Sequence, residues 1–355
     1  MPDVHEVFRL VTQEVRPDPG ALDRQSRRQR RRNNRRKAGV YALVAAMTVG
    51  TVVVAAGAAA HRSDLGSAQT PTPHVGAASL VPTVVGTDGI IRRTFGFLPS
   101  DAWNVTVSPD GTQIVYVTGS IDVGNCGACT PGPRLVVVRT DGTGSHYVTL
   151  HTATSPALVE MPAWSPDGRK IAFAGVSNGF EEIYVVGADG SHPRRLTASS
   201  TQNEYPAWSP DGTTIYYDSS GRTPPDDAGL SPTQEIWSIP ATGGTPTRLT
   251  RNDVPDQAPT VAPDGTIAFV HDGAIVEMNA DGGDLRRIPG APQGWSPRFS
   301  PDGSTIAVLN IGLTVVVIDA RTGIGDDLGV QVASTREPVS WMPSGDAVLV
   351  GRPSG

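Results

Sequence analysis

Pro162-Ala163-Trp164-Ser165-Pro166-Asp167-Gly168 returns almost unchanged as Pro206-Ala207-Trp208-Ser209-Pro210-Asp211-Gly212. Looser copies end at Asp110-Gly111, Asp264-Gly265, Asp302-Gly303 and Ser344-Gly345, so six turns succeed one another at spacings of 57, 44, 53, 38 and 42 residues. Proline ahead of the turn presets the backbone, and glycine accepts a positive φ that other residues resist. Strand-like stretches follow each turn. Ile171-Ala172-Phe173 and Ile215-Tyr216-Tyr217 come first, then Ile183-Tyr184-Val185-Val186 and Ile236-Trp237-Ser238-Ile239. A second glycine turn comes next, at Asp189-Gly190, Gly243-Gly244 and Asp281-Gly282. A short basic stretch closes the repeat, as in Arg194-Arg195-Leu196-Thr197 and Arg248-Leu249-Thr250. Four short strands per repeat, at a period of roughly 40–50 residues, predict an all-β, six-bladed β-propeller of four-stranded blades.

The Trp-Ser-Pro-Asp-Gly, Ile-Tyr-Val and Arg-Leu-Thr elements make residues 97–355 similar to the WD-like propeller repeats of the TolB family. The second and third copies carry the resemblance most fully. The fourth, with Val261-Ala262-Pro263, and the sixth, with Met342-Pro343-Ser344, depart from it. The resemblance implies the fold and leaves the ligand open. TolB proteins carry a further domain ahead of the propeller, where this chain is expected to have an anchor and a linker. The sixth copy reaches only its second strand at the last residue, and a closed ring leaves no exposed sheet edge. Val84-Val85-Gly86-Thr87-Asp88-Gly89 followed by Arg92-Arg93-Thr94 parallels Val185-Val186-Gly187-Ala188-Asp189-Gly190 followed by Arg194-Arg195-Leu196-Thr197. Residues 80–95 are therefore expected to supply the outer strands of the blade begun by 336–352, giving a propeller over 80–355.

Glycine (40) and proline (31) are abundant and charged residues make up only 18 %, which suits short strands and tight turns over helices. The formal charge of −6 conceals an asymmetry. Residues 1–37 hold 11 Lys/Arg against 5 Asp/Glu, a net of +6, which leaves −12 on the remainder. Residues 4–15 space Val4, Val7, Phe8, Val11 and Val15 as a helical stripe, readable as a docking helix for a cytoplasmic partner or as a weak interfacial helix. Eight Lys/Arg then crowd into residues 27–37, directly before 23 uncharged residues, 38–60. Basic charge beside an apolar run long enough to span a bilayer fixes topology, with the basic end cytoplasmic. Nucleic acid is not expected as a partner, because no reading fold accompanies the basic run. A cleavable signal peptide is the rival, since Ala58-Ala59-Ala60 offers small residues, but signal peptides have short leading segments and shorter apolar runs. The expected order is a basic cytoplasmic arm (1–37), a single transmembrane helix (38–60), a flexible linker (61–79) rich in small and polar residues, and an extracytoplasmic propeller.

Rigid scaffolds usually bind through their variable loops. The long irregular stretches 118–133 and 218–234 both fall on the face opposite the glycine turns. The residue two before each signature proline begins an innermost strand at the mouth of the central channel. These are Trp103, Glu160, Glu204, Gln257, Trp295 and Glu337. Carboxylates, an amide and indoles around one opening could hold a cation, an amine or a basic side chain, or could simply be solvated strand ends. Cys126-Gly127-Ala128-Cys129 has the spacing of a redox pair, half a zinc site or a local disulfide. Without a strand–helix context or a second Cys/His pair, and in an oxidising setting, a disulfide between Cys126 and Cys129 is favoured.

Gly175-Val176-Ser177-Asn178-Gly179 has the Gly-x-Ser-x-Gly spacing but falls between two strand-like stretches, without the strand-to-helix turn of a nucleophile elbow, and no His-Glu-x-x-His motif is present. Propeller-bearing peptidases carry a hydrolase domain after the repeats, which is not expected here. The favoured expectation is a non-enzymatic, membrane-tethered binding or scaffold propeller, with a protein, peptide or small polar ligand as partner and no cofactor or metal. The alternative is a metal-dependent, lactonase- or lyase-like propeller enzyme using the channel-mouth carboxylates Glu160, Glu204 and Glu337.

Overall fold

A computed structural model describes residues 80–119, 133–148, 159–177, 179–199, 201–220, 234–332 and 339–353. All lie in one compact unit, Pro73–Gly355. The expected arm, membrane helix and linker, Cys126, Cys129 and Glu337 lie outside the described residues. Among the described residues no helix is long and apolar enough to cross a membrane.

The chain enters with β1 (Leu80–Gly86) and β2 (Ile91–Thr94). The first blade is β3 (Trp103–Val107), β4 (Gln113–Thr118), β5 (Arg134–Arg139) and β6 (His146–Val148). The second is β7 (Val159–Trp164), β8 (Lys170–Ser177), β9 (Phe180–Gly187) and β10 (Arg194–Arg195). The third is β11 (Gln202–Trp208), β12 (Thr214–Ser220), β13 (Gln234–Pro240) and β14 (Thr247–Arg248). The fourth is β15 (Asp256–Val261), β16 (Ile267–His271), β17 (Ala274–Met278) and β18 (Arg286–Arg287). The fifth is β19 (Gly294–Phe299), β20 (Thr305–Asn310), β21 (Thr314–Asp319) and β22 (Gly325–Gln331). The sixth opens with β23 (Ser340–Trp341) and β24 (Ala347–Pro353) and is completed by the first two strands, in the order β2-β1-β24-β23. Six four-stranded antiparallel sheets therefore make a six-bladed propeller. Thr83 sits opposite Val350 and Val85 opposite Val348 in the closing ladder.

Six hydrophobic clusters lie between consecutive blades. Val107, Ile114 and Tyr116 of the first blade meet Val84 and Leu349 of the sixth. Ile171 and Phe173 of the second meet Val115 and Val137 of the first, and so on around the ring. Alternate side chains of each strand point to opposite faces, so every sheet serves two interfaces. Three signature tryptophans add polar clamps. The indole N–H of Trp208 donates to the Ala163 carbonyl at 3.0 Å, that of Trp164 to Thr106 at 3.3 Å and that of Trp341 to Arg298 at 2.8 Å. Each reaches the innermost strand of the blade before it.

The basic fourth strands have a structural partner. Arg195 pairs at 2.8 Å with the fully buried Glu182, which also accepts from Thr197 Oγ1 at 2.5 Å and Ser199 N at 2.7 Å. Arg248 repeats this with Glu235 at 2.8 Å, and Thr250 Oγ1 donates to the same carboxylate at 2.6 Å. A buried carboxylate is tolerated only when paired and hydrogen-bonded. These arginines hold the outer strands in register.

Candidate functional site

Each innermost strand described from its start breaks register just after the position expected to ring the channel mouth. The slips fall between Trp103 and Thr106, Glu160 and Ala163, Glu204 and Ala207, Gln257 and Thr260, and Trp295 and Arg298. The next residue in every case has a left-handed backbone. The φ values are 51° at Asn104, 53° at Met161, 51° at Tyr205, 52° at Ala258 and 50° at Ser296. Such a conformation costs a non-glycine residue about 1–3 kcal/mol unless its surroundings enforce it. Two of the five are held from a preceding blade. Met161 N–H donates to Asn104 Oδ1 at 2.7 Å, and Ala258 N–H donates to Asp218 Oδ2 at 2.7 Å.

These bulges decide where the expected ring residues go. Trp103 is half-buried and packs against the cluster between the first and second blades, so it serves as part of the core. Glu160 is 4 % exposed, opposite Ala174, and Trp295 is half-buried opposite Leu309. Glu204 and Gln257 are drawn together through a neighbour. Gln234 Nε2 donates to Glu204 at 3.4 Å, and Gln257 Nε2 donates to Gln234 Oε1. None of these five residues lines the central cavity. Among the described residues, no group of three or more His, Cys, Asp or Glu is disposed to hold a metal ion.

Asp218 was not singled out from sequence, yet it sits opposite Glu204 in the ladder between β11 and β12 and is fully buried. Burial, then the negative charge of Glu204, push its carboxyl well above the usual carboxylate range, against the pull of the Ala258 hydrogen bond. Its Oδ1 has no hydrogen-bond partner among the described residues. A carboxyl with a raised pKa beside a second acid can share a proton with it. An acid placed directly after the apolar run Ile215-Tyr216-Tyr217, inside the strand, is the signal that could have found it.

The central cavity occupies about 470 Å³ and takes its walls from all six blades. It extends from the bulge residues Met161 and Tyr205 to the turn prolines, of which each blade supplies one. Between these levels lie Trp164, Trp208, Trp341 and Phe299. Among the described residues its one charged lining residue is Arg298.

Residues 103–226 match the family model described as the TolB beta propeller domain. An uncharacterized protein of Agrobacterium fabrum is 29 % identical over 191 residues, which cover 47 % of this chain and 62 % of that protein. The Tol-Pal system protein TolB of Thioalkalivibrio sulfidiphilus is 31 % identical over 87 residues, covering 24 % of this chain and 18 % of that protein. The chain thus spans less than two thirds of the length of these curated relatives. A solved structure provisionally assigned as TolB from Agrobacterium tumefaciens superposes with a TM-score of 0.60 at 20 % identity, over 79 % of this chain and 100 % of that one. An oligogalacturonate lyase in complex with manganese superposes with a TM-score of 0.50 at 16 % identity, over 73 % of this chain and 74 % of that one. At these identities the structural likeness is one of fold.

Proposed function

We propose that this chain, whose repeats are of the TolB propeller type, is a non-enzymatic binding or scaffold module. It is tethered to a membrane by residues 38–60 and engages a protein, peptide or small polar ligand through its loop-bearing face. The observation that carries this reading is the match of residues 103–226 to the TolB beta propeller domain, on a ring that presents its loops from a closed, well-packed frame. A relative named for the Tol-Pal system supports a protein as the partner class. The anchor rests on the uncharged run beside the basic cluster. In this reading the disulfide between Cys126 and Cys129 staples the loop of the first blade.

A photo-crosslinker placed at Asp272 or Ile311, both exposed between the second and third strands of their blades, tests this in the full chain, with Asp302 on the glycine-turn face as the control position. Partner adducts concentrated at the first two positions are expected. External protease on intact cells should remove the propeller and leave the arm with its membrane segment. Adducts equally frequent at Asp302, or a propeller shielded from external protease, would overturn the reading.

The buried Glu204–Asp218 pair favours a second reading, a metal-dependent propeller enzyme. For that reading a divalent ion must raise the thermal midpoint of the full chain, and Glu204→Ala must abolish the rise.

A further inference from the structure

We propose that the central cavity binds a compact hydrophobic acid, with the Arg298 guanidinium as the anchor for its carboxylate. This rests on the cavity alone and is independent of whatever occupies the loop-bearing face.

Six equivalent positions, one on each innermost strand, form a single layer of the cavity wall: Thr106, Ala163, Ala207, Thr260, Arg298 and Ser340. Five are small. The sixth is a long cation facing the space that the small residues leave. Its Nη1–H donates to the adjacent Pro297 carbonyl at 2.8 Å, its own carbonyl accepts the Trp341 indole, and among the described residues no carboxylate pairs with it. Among the described residues no Asp or Glu lines the cavity. Surrounding protein lowers the guanidinium pKa, a shift that the neighbouring Tyr205 opposes. Arg195 and Arg248, half-buried as this residue is, are matched by Glu182 and Glu235, so this one stands apart.

A guanidinium taken from bulk water without a counter-charge is costly, and a carboxylate bound in fork geometry relieves that cost. The rest of the ligand follows from the walls. Trp164, Trp208, Trp341, Phe299 and the turn prolines suit an aromatic or branched apolar body. A cavity of about 470 Å³ lies within the range of small-ligand sites and is too small for a folded partner. Two sources share this chemistry, a free organic acid and the C-terminal residue of a peptide.

The test titrates the full chain with 4-phenylbutyrate, with N-acetyl-prolyl-phenylalanine and with the amide of that dipeptide. Quenching of the cavity tryptophans and calorimetry are the readouts. At least one free acid should bind saturably at one per chain with a Kd below about 1 mM, and the amide at least tenfold more weakly. Arg298→Met should lose at least tenfold in affinity, whereas its unliganded midpoint should be unchanged or higher, because the uncompensated cation is gone. Ala207→Leu, which fills the same layer and keeps the guanidinium, should also weaken binding. Binding of both acids points to a general site for compact acids, binding of the dipeptide alone to a peptide terminus, and binding of phenylbutyrate alone to a free acid. The proposal is overturned if neither acid saturates, if the amide binds equally, or if Arg298→Met binds as the parent does. A lowered midpoint in Arg298→Met, with binding of both acids unchanged, would identify Arg298 as a packing residue.

Discussion

Asp302 draws in three donors from its own turn: Ser300 Oγ at 2.6 Å, Ser304 N–H at 3.0 Å and Ser304 Oγ at 2.8–2.9 Å. Charge-assisted bonds of this kind favour the ionised form, and the carboxyl falls from 3.8 to about 2, the Ser300 bond contributing most. Asp110, Asp167 and Asp211 shift in the same direction, each chiefly through its own serine. A depressed folded-state pKa adds stability that is fully present above the unfolded value and is lost as pH falls through the folded one. These four turn carboxylates should therefore withdraw stability between about pH 4 and pH 2. Melting midpoints taken across that window should fall less steeply in Asp302→Ala than in the parent. Parallel slopes would show that the turn carboxylate is not coupled to folding. The serine and aspartate of this turn were plain in the sequence. Asp218 was not, because its burial is set by a neighbouring blade whose Ala258 N–H it caps.

At the scale of the strand, the repeat signature does two jobs with one residue. Trp208 buries its ring in the cluster between the second and third blades and donates its N–H back to Ala163 at 3.0 Å. Trp208→Phe keeps most of the apolar surface and removes the indole bond to that part-buried acceptor, at a cost of about 0.5–1.5 kcal/mol. Denaturant unfolding of the two proteins measures the difference directly. Equal free energies would mean that the indole bond contributes nothing to blade docking. The same strands show where sequence reasoning stops. Counting back from each proline places the mouth ring on the premise of a regular strand. A residue before proline is ordinarily pushed to extended backbone, so nothing marked Met161, Tyr205, Ala258 and Ser296 as left-handed. A bulge follows each described mouth position; Trp103 packs against the core between the first and second blades, and the cavity wall takes in bulge residues such as Met161 and Tyr205 as well as those after the slip. The basic fourth strands, by contrast, were visible as a pattern but not as a cause. Their partners, Glu182 and Glu235, sit at the start of the third strand, and only pairing reveals the match.

Across the whole ring, six similar interfaces must close on themselves, and one strand pair makes that possible. β1 lies along β24 over seven residue pairs, from Leu80 opposite Pro353 to Gly86 opposite Ala347. Its successive valines face opposite ways. Val84 enters the core shared by the sixth and first blades, and Val85 the core shared by the fifth and sixth. One short strand thereby touches two interfaces, and both are lost together if it is removed. Deleting residues 80–95 from the full chain would leave β24 as an unpaired edge and strip apolar cover from both cores, which invites edge-to-edge association. The expected products are oligomers by light scattering and a lower unfolding midpoint. A second variant separates the two causes. Val84→Thr keeps the ladder with a branched side chain of similar size and weakens only the interface with the first blade. It should lower the midpoint while the protein stays monomeric. If the deletion is monomeric and as stable as the parent, the first two strands are a dispensable cover. If Val84→Thr aggregates as the deletion does, interface packing rather than the exposed edge keeps the ring from associating.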